Sequence, residues 1–448
     1  MDALNELVVK ADDLVWFALL FVLVGGGLFF SIRTGFIQVR RFRHGWNRVF
    51  GNFSLSGDKA GSEGMSSFQA LATAIAAQVG TGNIAGCSTA LVSGGPGAIF
   101  WMWIAAFFGM ATIYGEAVLA QKTKTRDGKG DIIGGPVYYI REAFRGSFGR
   151  FLAGFFAVAI ILALGFMGNM VQSNSISDAF NAAFGVPTWV MGLIAAAIAG
   201  FIFLGGIGRI ASFTEKLVPV MAVLYLIGGA VLLVLNITRI PAAVASIFIG
   251  AFNPPAIGGA AAGITVRQAV RYGVARGLFS NEAGMGSTPH AHAMAKVDDP
   301  EHQGEVAMVG VFVDTFIVLN MTALVILSSG VLDEMMSQGI TGTRVAQTAF
   351  STGFGGLGPK FVAVCLLFFA FSTIIGWYFF AQQNVKYLFG NGAVRPFALL
   401  VVICVFLGSL MEVPLVWNLS DLLNGIMVIP NFIALIALSG VIASSARK

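Results

Sequence analysis

Apolar stretches about as long as a bilayer is thick alternate along this chain with short polar connectors. A membrane-crossing helix needs about 20 mostly apolar residues. By that measure eleven runs predict spanning helices. They lie at 14–32, then near 66–91, 99–120, 151–175, 189–204 and 217–235, and then near 266–289, 306–329, 361–385, 396–410 and 415–441. The fourth and sixth have room to extend. The first follows the acidic MDALNELVVKADD, with no basic stretch ahead of it and no small-residue cleavage site after it. It therefore reads as a retained helix rather than a signal peptide.

Two of the runs break their own pattern. The stretch AAQVGTGNIAG, 76–86, places Gly80, Gly82, a threonine and an asparagine where a spanning helix is usually most apolar. A second polar interruption, FSNEAG at 279–284, lies in the seventh run. Shifting the chain by 198 residues lays Asn83 on Asn281, Ala85 on Ala283 and Gly86 on Gly284. Five spans separate the starts of the two runs, so the second copy crosses the membrane the opposite way. The expected fold is an all-α membrane protein of eleven transmembrane helices, ten of them in two inverted five-helix repeats. The divisions fall at 1–65 for an extra N-terminal helix and basic loop, 66–240 for the first repeat and 241–448 for the second.

In hydrocarbon an unpaired backbone group is costly, so broken helices survive only where they line a cavity or are buried in protein. Gly80-Thr81-Gly82 is a plausible break, because glycine adopts conformations other residues avoid. The half-helix beyond it presents free N–H groups and a positive dipole end, which suit a carboxylate. The half-helix before it presents free carbonyls near Ala76 and Val79, which suit a small hard cation. A plainer reading is that these glycines only allow close helix packing. The second interruption argues against it, because paired broken helices mark transporter sites.

Composition and charge agree. The chain has 448 residues, of which 56% are hydrophobic and 11% charged, far below the roughly 25% charge of soluble domains. The net charge of +5 does not imply nucleic acid, because the charges fall in connectors between runs. With the N-terminus outside, twenty of the 27 Lys and Arg lie on the cytoplasmic side, and the C-terminus is inside. Cys87, Cys365 and Cys404 lie in apolar runs and read as buried thiols rather than a disulfide framework.

The strings GTGNIAG (80–86), GGPGAIFWMW (94–103) and GLFSNEAGMGS (277–287) closely resemble the alanine or glycine:cation symporter family, whose sodium-coupled members have the LeuT fold. The resemblance spans nearly the whole chain from Ser66. Small departures, Cys87-Ser88 and Ile113-Tyr114-Gly115, miss the positions assigned to substrate. The resemblance implies sodium-coupled uptake of a small amino acid such as alanine or glycine across the plasma (inner) membrane. It places the carboxylate on the amides of Thr81, Gly82 and Asn83, beside Gly80. It places the ammonium on carbonyls around Phe279 and Ser280 and on Gln172, with Asn83 and Asn281 bracing the breaks or touching solute. Sodium, the co-transported ion, would lie among Ala76, Val79, Phe369, Ser372 and Thr373. Phe369, Ser372 and Thr373 stand at i, i+3 and i+4, so a carbonyl and two hydroxyls face one point. Such hydroxyls also commonly bond back to the preceding turn. Trp377, one turn beyond, would wall the pocket and favour small side chains.

Acids within spans are candidates for function. Glu116 reads as snorkelling to water, Glu282 as capping the second break or pairing with Arg276, and Asp314 as a buried acid. Proton coupling through Glu282 or Asp314 is the alternative to sodium. His290, His292 and His302 read as a solvated loop, because their spacing fits no common metal site. An intramembrane hydrolase using Ser287 and His290 is the reading from another class, and it lacks a nucleophile elbow.

Overall fold

The computed structural model describes residues 2–51, 64–128, 130–259, 263–411 and 413–447. Lys59, Lys129 and Lys448, counted above for orientation, lie outside them. Nearly all of the described chain is helical, apart from a short antiparallel pair, Thr125–Arg126 with Ile132–Ile133.

The helices that matter here run in chain order. α1 is Asp2–Arg33, α2 Ser67–Gln78, α3 Cys87–Gly94, α4 Gly97–Thr123, α5 Gly146–Ile160 and α6 Asn169–Phe184. α7 is Thr188–Phe203, α8 Gly206–Leu235, α9 Ile240–Phe252, α10 Val266–Asn281, α11 Pro289–Met294 and α12 Pro300–Phe312. α13 is Asn320–Ser329, α14 Thr343–Phe354, α15 Gly358–Phe389, α16 Val394–Gly408 and α17 Val413–Ala437. Among the described residues, eight helices are long and apolar enough to cross a membrane. α2 with α3 is one predicted run divided in two; α10 fills the first part of the run expected at 266–289, and α11 starts where that run ends.

Hydrophobicity on all sides puts a helix in the interior. α4 from Gly109 to Gln121 and α15 from Phe369 to Val385 are buried at every position. They form the centre. α10 and α12 pack on α4, and α6, α8 and α2 pack on α15. The outer helices are two-faced in the opposite sense from a soluble bundle. Ile194, Ile198 and Phe201 on α7, and Val220, Val223 and Ile227 on α8, are large, apolar and exposed. A belt of such residues is the surface expected against lipid.

Both broken runs start in the same way. Ser66 accepts from the Gln69 amide at 3.0 Å while Gln69 caps the Ser66 amide at 3.1 Å. Thr265 and Gln268 repeat that capping box at the head of α10. Three stretches widen into π turns: Gly82–Gly86, Ile161–Gly168 and Val313–Leu319. The second of these fuses α5 and α6, so the run expected at 151–175 lies inside one 39-residue span, Gly146–Phe184. α9 and α14, at 13 and 12 residues, had no counterpart in the apolar runs because a bilayer-length ruler passes over them.

Backbone approach is closest where α4 meets α9. A Cβ on Gly97 would lie 2.2 Å from the Gly250 carbonyl carbon, and main chain has nowhere to move. Gly97→Leu is therefore expected to destabilise by about 3 kcal/mol or more. The expected reading is a thermal unfolding midpoint in detergent lowered by several degrees. Ile227→Ala, on the exposed face of α8, should leave that midpoint nearly unchanged.

Candidate functional site

The first break begins where α2 stops at Gln78. Val79, at φ −83° and ψ 88°, turns the chain out of the helix. Gly80 then donates its amide to Asn83 Oδ1 at 3.0 Å, and Thr81 donates to Gln172 Oε1 at 3.3 Å. The Thr81 hydroxyl is buried without a hydrogen-bond partner. Two glycines are required by space. A Cβ on Gly80 would lie 2.3 Å from Thr373 Oγ1, and one on Gly82 would lie 3.1 Å from Ser280 Cα. The unwound segment is thus pressed against α15 on one side and α10 on the other.

The hydroxyls of α15 meet the end of α2. Ser372 Oγ donates within reach of Ala76 O at 3.1 Å and Phe369 O at 2.8 Å. Thr373 Oγ1 faces Ala76 O at 3.0 Å, Phe369 O at 3.1 Å and Ala77 O at 3.3 Å. The hydroxyls therefore do bond back to their own turn, and they also cross to α2. Two protons serve three carbonyls here, an arrangement of oxygen ligands that a monovalent cation would satisfy more fully. Of the five residues expected around the cation, Ala76, Phe369, Ser372 and Thr373 come together. Val79 makes the bend, and among the described residues no hydrogen bond ties its carbonyl to this group. Ala77 joins instead.

The second break falls within the expected interruption at 279–284. α10 stays helical through Phe279 and Ser280 to Asn281, and the chain turns at Glu282, at φ 58°. Phe279 and Ser280 thus occupy the last turn of α10, where helix carbonyls lose their intrahelical partners. The amides after the turn are capped by side chains. Asn281 Oδ1 takes Ala283 N at 3.1 Å, and the two Glu116 oxygens take Gly284 N and Gly286 N, each at 2.9 Å. Asn431 Nδ2 donates to Glu116 Oε1 at 2.7 Å and to Gly284 O at 2.9 Å. Glu116 is wholly buried and does not snorkel. Burial without a basic partner was the signal for it, since a carboxylate is kept in such a place by donors around it. Asn431 gave no comparable signal.

The two breaks are joined to each other. Gln78 Nε2 donates to Asn281 O at 2.8 Å. Asp314, in the π turns after α12, accepts from Asn83 Nδ2 at 2.7 Å, from Ser280 Oγ at 3.0 Å and from Thr315 Oγ1 at 2.9 Å. Asn83 and Asn281 both brace the breaks.

Trp377 is nearly fully buried, with its ring edge-on to Phe279 at a centroid distance of 6.0 Å. Its indole N–H donates to Glu282 Oε1, and Ser287 Oγ donates to Glu282 Oε2 at 2.5 Å. Glu282 does not pair with Arg276, which instead meets Asp421 at 2.8 Å. Gly168 lies directly behind the indole, and Gln172 follows one turn later on the same face of α6. Gly80, Thr81, Gly82, Gln172, Ser280, Thr373 and Trp377 therefore surround one buried region.

The histidines are not a solvated loop. His290 and His292 are buried in α11, and among the described residues no group of three or more His, Cys, Asp and Glu could hold a metal. The His290 ring is stacked between Phe156 and Phe380, with Nδ1 2.7 Å from Ser287 O and Nε2 2.8 Å from Asn384 Nδ2. Nδ1 is then the donor and the ring is neutral. The Ser287 hydroxyl points to Glu282 rather than to His290, so a serine–histidine nucleophile is not assembled.

Comparison with known proteins gives a consistent result. The model of the sodium:alanine symporter family matches residues 1–448. The chain is 42% identical to the sodium/alanine symporter AgcS of Methanococcus maripaludis, over 99% of this chain and 96% of that protein. It is 39% identical to the amino-acid carrier protein AlsT of Bacillus subtilis, over 98% of this chain and 90% of that protein. Among solved structures, MhsT in complex with L-phenylalanine superposes with a TM-score of 0.57 at 15% identity, covering 86% of this chain and all of that one (100%). That likeness identifies the fold, and it is the LeuT fold.

Removing the Glu116 carboxylate leaves two buried amides and Asn431 without their partner. Glu116→Ala is expected to cost roughly 3 kcal/mol or more, read as a lowered thermal midpoint of the detergent-solubilised protein. Glu116→Gln, which keeps one acceptor oxygen, should fall between the two.

Proposed function

The chain belongs to the sodium:alanine symporter family, and on that premise we propose that it moves a small neutral amino acid, alanine or glycine, inward with sodium by alternating access. It is a multi-pass membrane transporter and not an enzyme. The amino acid binds between the two broken runs. Its carboxylate takes the amides of Thr81 and Gly82 with the unpartnered Thr81 hydroxyl. The Asn83 amide, bonded to Gly80 O at 3.3 Å, would join by exchanging that partner, as the Thr81 amide exchanges Gln172 Oε1 at 3.3 Å. Its ammonium takes Gln172 Oε1 and the last carbonyls of α10, at Phe279 and Ser280, and Trp377 limits the side chain. Sodium takes Ala76, Phe369, Ser372 and Thr373, with Val79 drawn in as the bend tightens.

The single observation that carries this reading is the shared position of Ala76 and Thr81. The carbonyl that the α15 hydroxyls reach and the amides that suit a carboxylate lie five residues apart, on either side of one bend. A cation that fixes the end of α2 fixes the shape of the amides, so the two ligands must strengthen each other equally.

The architecture behind it is eleven spans: the eight long helices, the two broken runs and α7. Repeats at 66–240 and 241–448 are supported by the matching capping boxes at Ser66 and Thr265, with 1–65 as the extra segment. The distribution of Lys and Arg supports an outside N-terminus and a cytoplasmic C-terminus.

The test is uptake of radiolabelled alanine and glycine into proteoliposomes under imposed gradients, with equilibrium binding alongside. Uptake should follow a sodium gradient, and alanine should bind more tightly in sodium than in choline. Equal affinities in the two salts, or uptake driven by a pH gradient alone, would overturn it, the second in favour of Glu282 or Asp314. Thr373→Ala should raise the half-saturating sodium concentration by about tenfold, the loss of one good oxygen ligand. Gln172→Ala should chiefly raise the KM for alanine.

A further inference from the structure

Glu282 breaks a local rule. Apart from glycines, it and Phe36 are the described residues with positive φ, and glycine is the residue that such a turn ordinarily selects. A strained non-glycine residue that persists in a buried turn points to a task for its side chain. Here that side chain is wholly buried and has two partners, one per oxygen. Ser287, five residues on, anchors one oxygen, and the Trp377 indole N–H is held by the other.

The indole has little freedom otherwise. Its N–H is a donor only, and in a buried place it must find an acceptor. Behind it a Cβ on Gly168 would come within 2.5 Å of the ring, so the ring rests against the bare backbone of the π stretch that leads into α6. Beside it stands the edge of Phe279. What decides how far the ring leans towards Gly80 and Thr373 is the direction in which its N–H points. We infer that Glu282 is the positioning residue that seats Trp377 and so sets the size limit of the amino-acid pocket. A glycine at 282 would relieve the backbone and lose the limit. This rests on Trp377 walling the pocket, as proposed above.

The hydrogen bond, not the charge, performs this task, which separates it from proton coupling. Glu282→Gln keeps an acceptor for the indole and keeps a group for Ser287. Glu282→Gly suits the turn and removes the acceptor of both the indole and Ser287. Glu282→Ala also removes the acceptor, and serves if the glycine variant does not fold; Trp377→Phe removes the donor together with the five-membered half of the indole. All are assayed as the full chain in proteoliposomes, with alanine uptake in sodium and competition by unlabelled leucine and glutamine. Glu282→Gln should leave alanine KM within about twofold and leucine a poor competitor. Glu282→Gly and Trp377→Phe should each raise alanine KM by about tenfold, the loss of one hydrogen bond to a charged or polar partner. Both should admit the larger amino acids, with maximal rates little changed. Combining the two should add nothing beyond either alone.

The inference is overturned if Glu282→Gly keeps the alanine-to-leucine ratio of the parent while Trp377→Ala broadens it. It is also overturned if Glu282→Gln abolishes sodium-driven uptake as fully as Glu282→Gly. If Trp377→Ala leaves selection unchanged, the pocket wall itself is wrong, and this inference falls with it. Sodium-dependent alanine binding in that same variant would show the rest of the proposed site intact.

Discussion

Everything in this molecule follows from two helices that stop short inside an apolar bundle and lean on each other. An open main chain in hydrocarbon is costly at every unpaired N–H and C=O. The protein satisfies those groups with side chains from its core: Asn83, Gln172, Glu116, Asn281 and Asn431 each cap or hold part of a break. Contact is direct where Gly82 meets Ser280, and Asp314 ties Asn83 to Ser280 across it. Each break thus braces the other, and that mutual support places amides, carbonyls and hydroxyls in one buried region.

The division of labour among these groups is uneven. The second break has its amides at 283, 284 and 286 all bonded to side chains. The first is held more lightly, by a 3.3 Å contact from Thr81 to Gln172 and by hydroxyls that share carbonyls. A firmly capped break serves as a frame, and a lightly held one can exchange its partners for a ligand. In the proposed site the amides that open the 82–86 stretch and the carbonyl ends of α2 and α10 therefore face solute, while the amides beyond Glu282 face their own protein.

Much of this was readable from residue order. Gly80-Thr81-Gly82 announced a break because two glycines in an apolar run have no cheaper explanation once a second interruption appears. The spacing of Phe369, Ser372 and Thr373 announced a shared face because helix geometry is rigid. What escaped had physical causes. The interruption at 279–284 contains the turn but does not single out Glu282, since a left-handed residue that is not glycine leaves no mark in sequence. Glu116 was taken for a snorkelling acid because its donors come from residues 284, 286 and 431, far away in the chain. The two histidines looked solvated because polarity was read without the aromatic rings that enclose one of them. α9 was missed because length alone was asked to find helices.

The π turns carry a consequence of their own. Each of the three stretches, 82–86, 161–168 and 313–319, ends at or contains a group of this region: Gly82 and Asn83, Gly168, and Asp314. A wide turn holds one residue more than the α pitch requires. Handing that surplus along a helix twists everything past it by about a quarter revolution, with few hydrogen bonds changed at any moment. Three rods meeting at one spot thus each carry a joint of slack, and reorientation there needs no hinge loop and no solvent-filled gap.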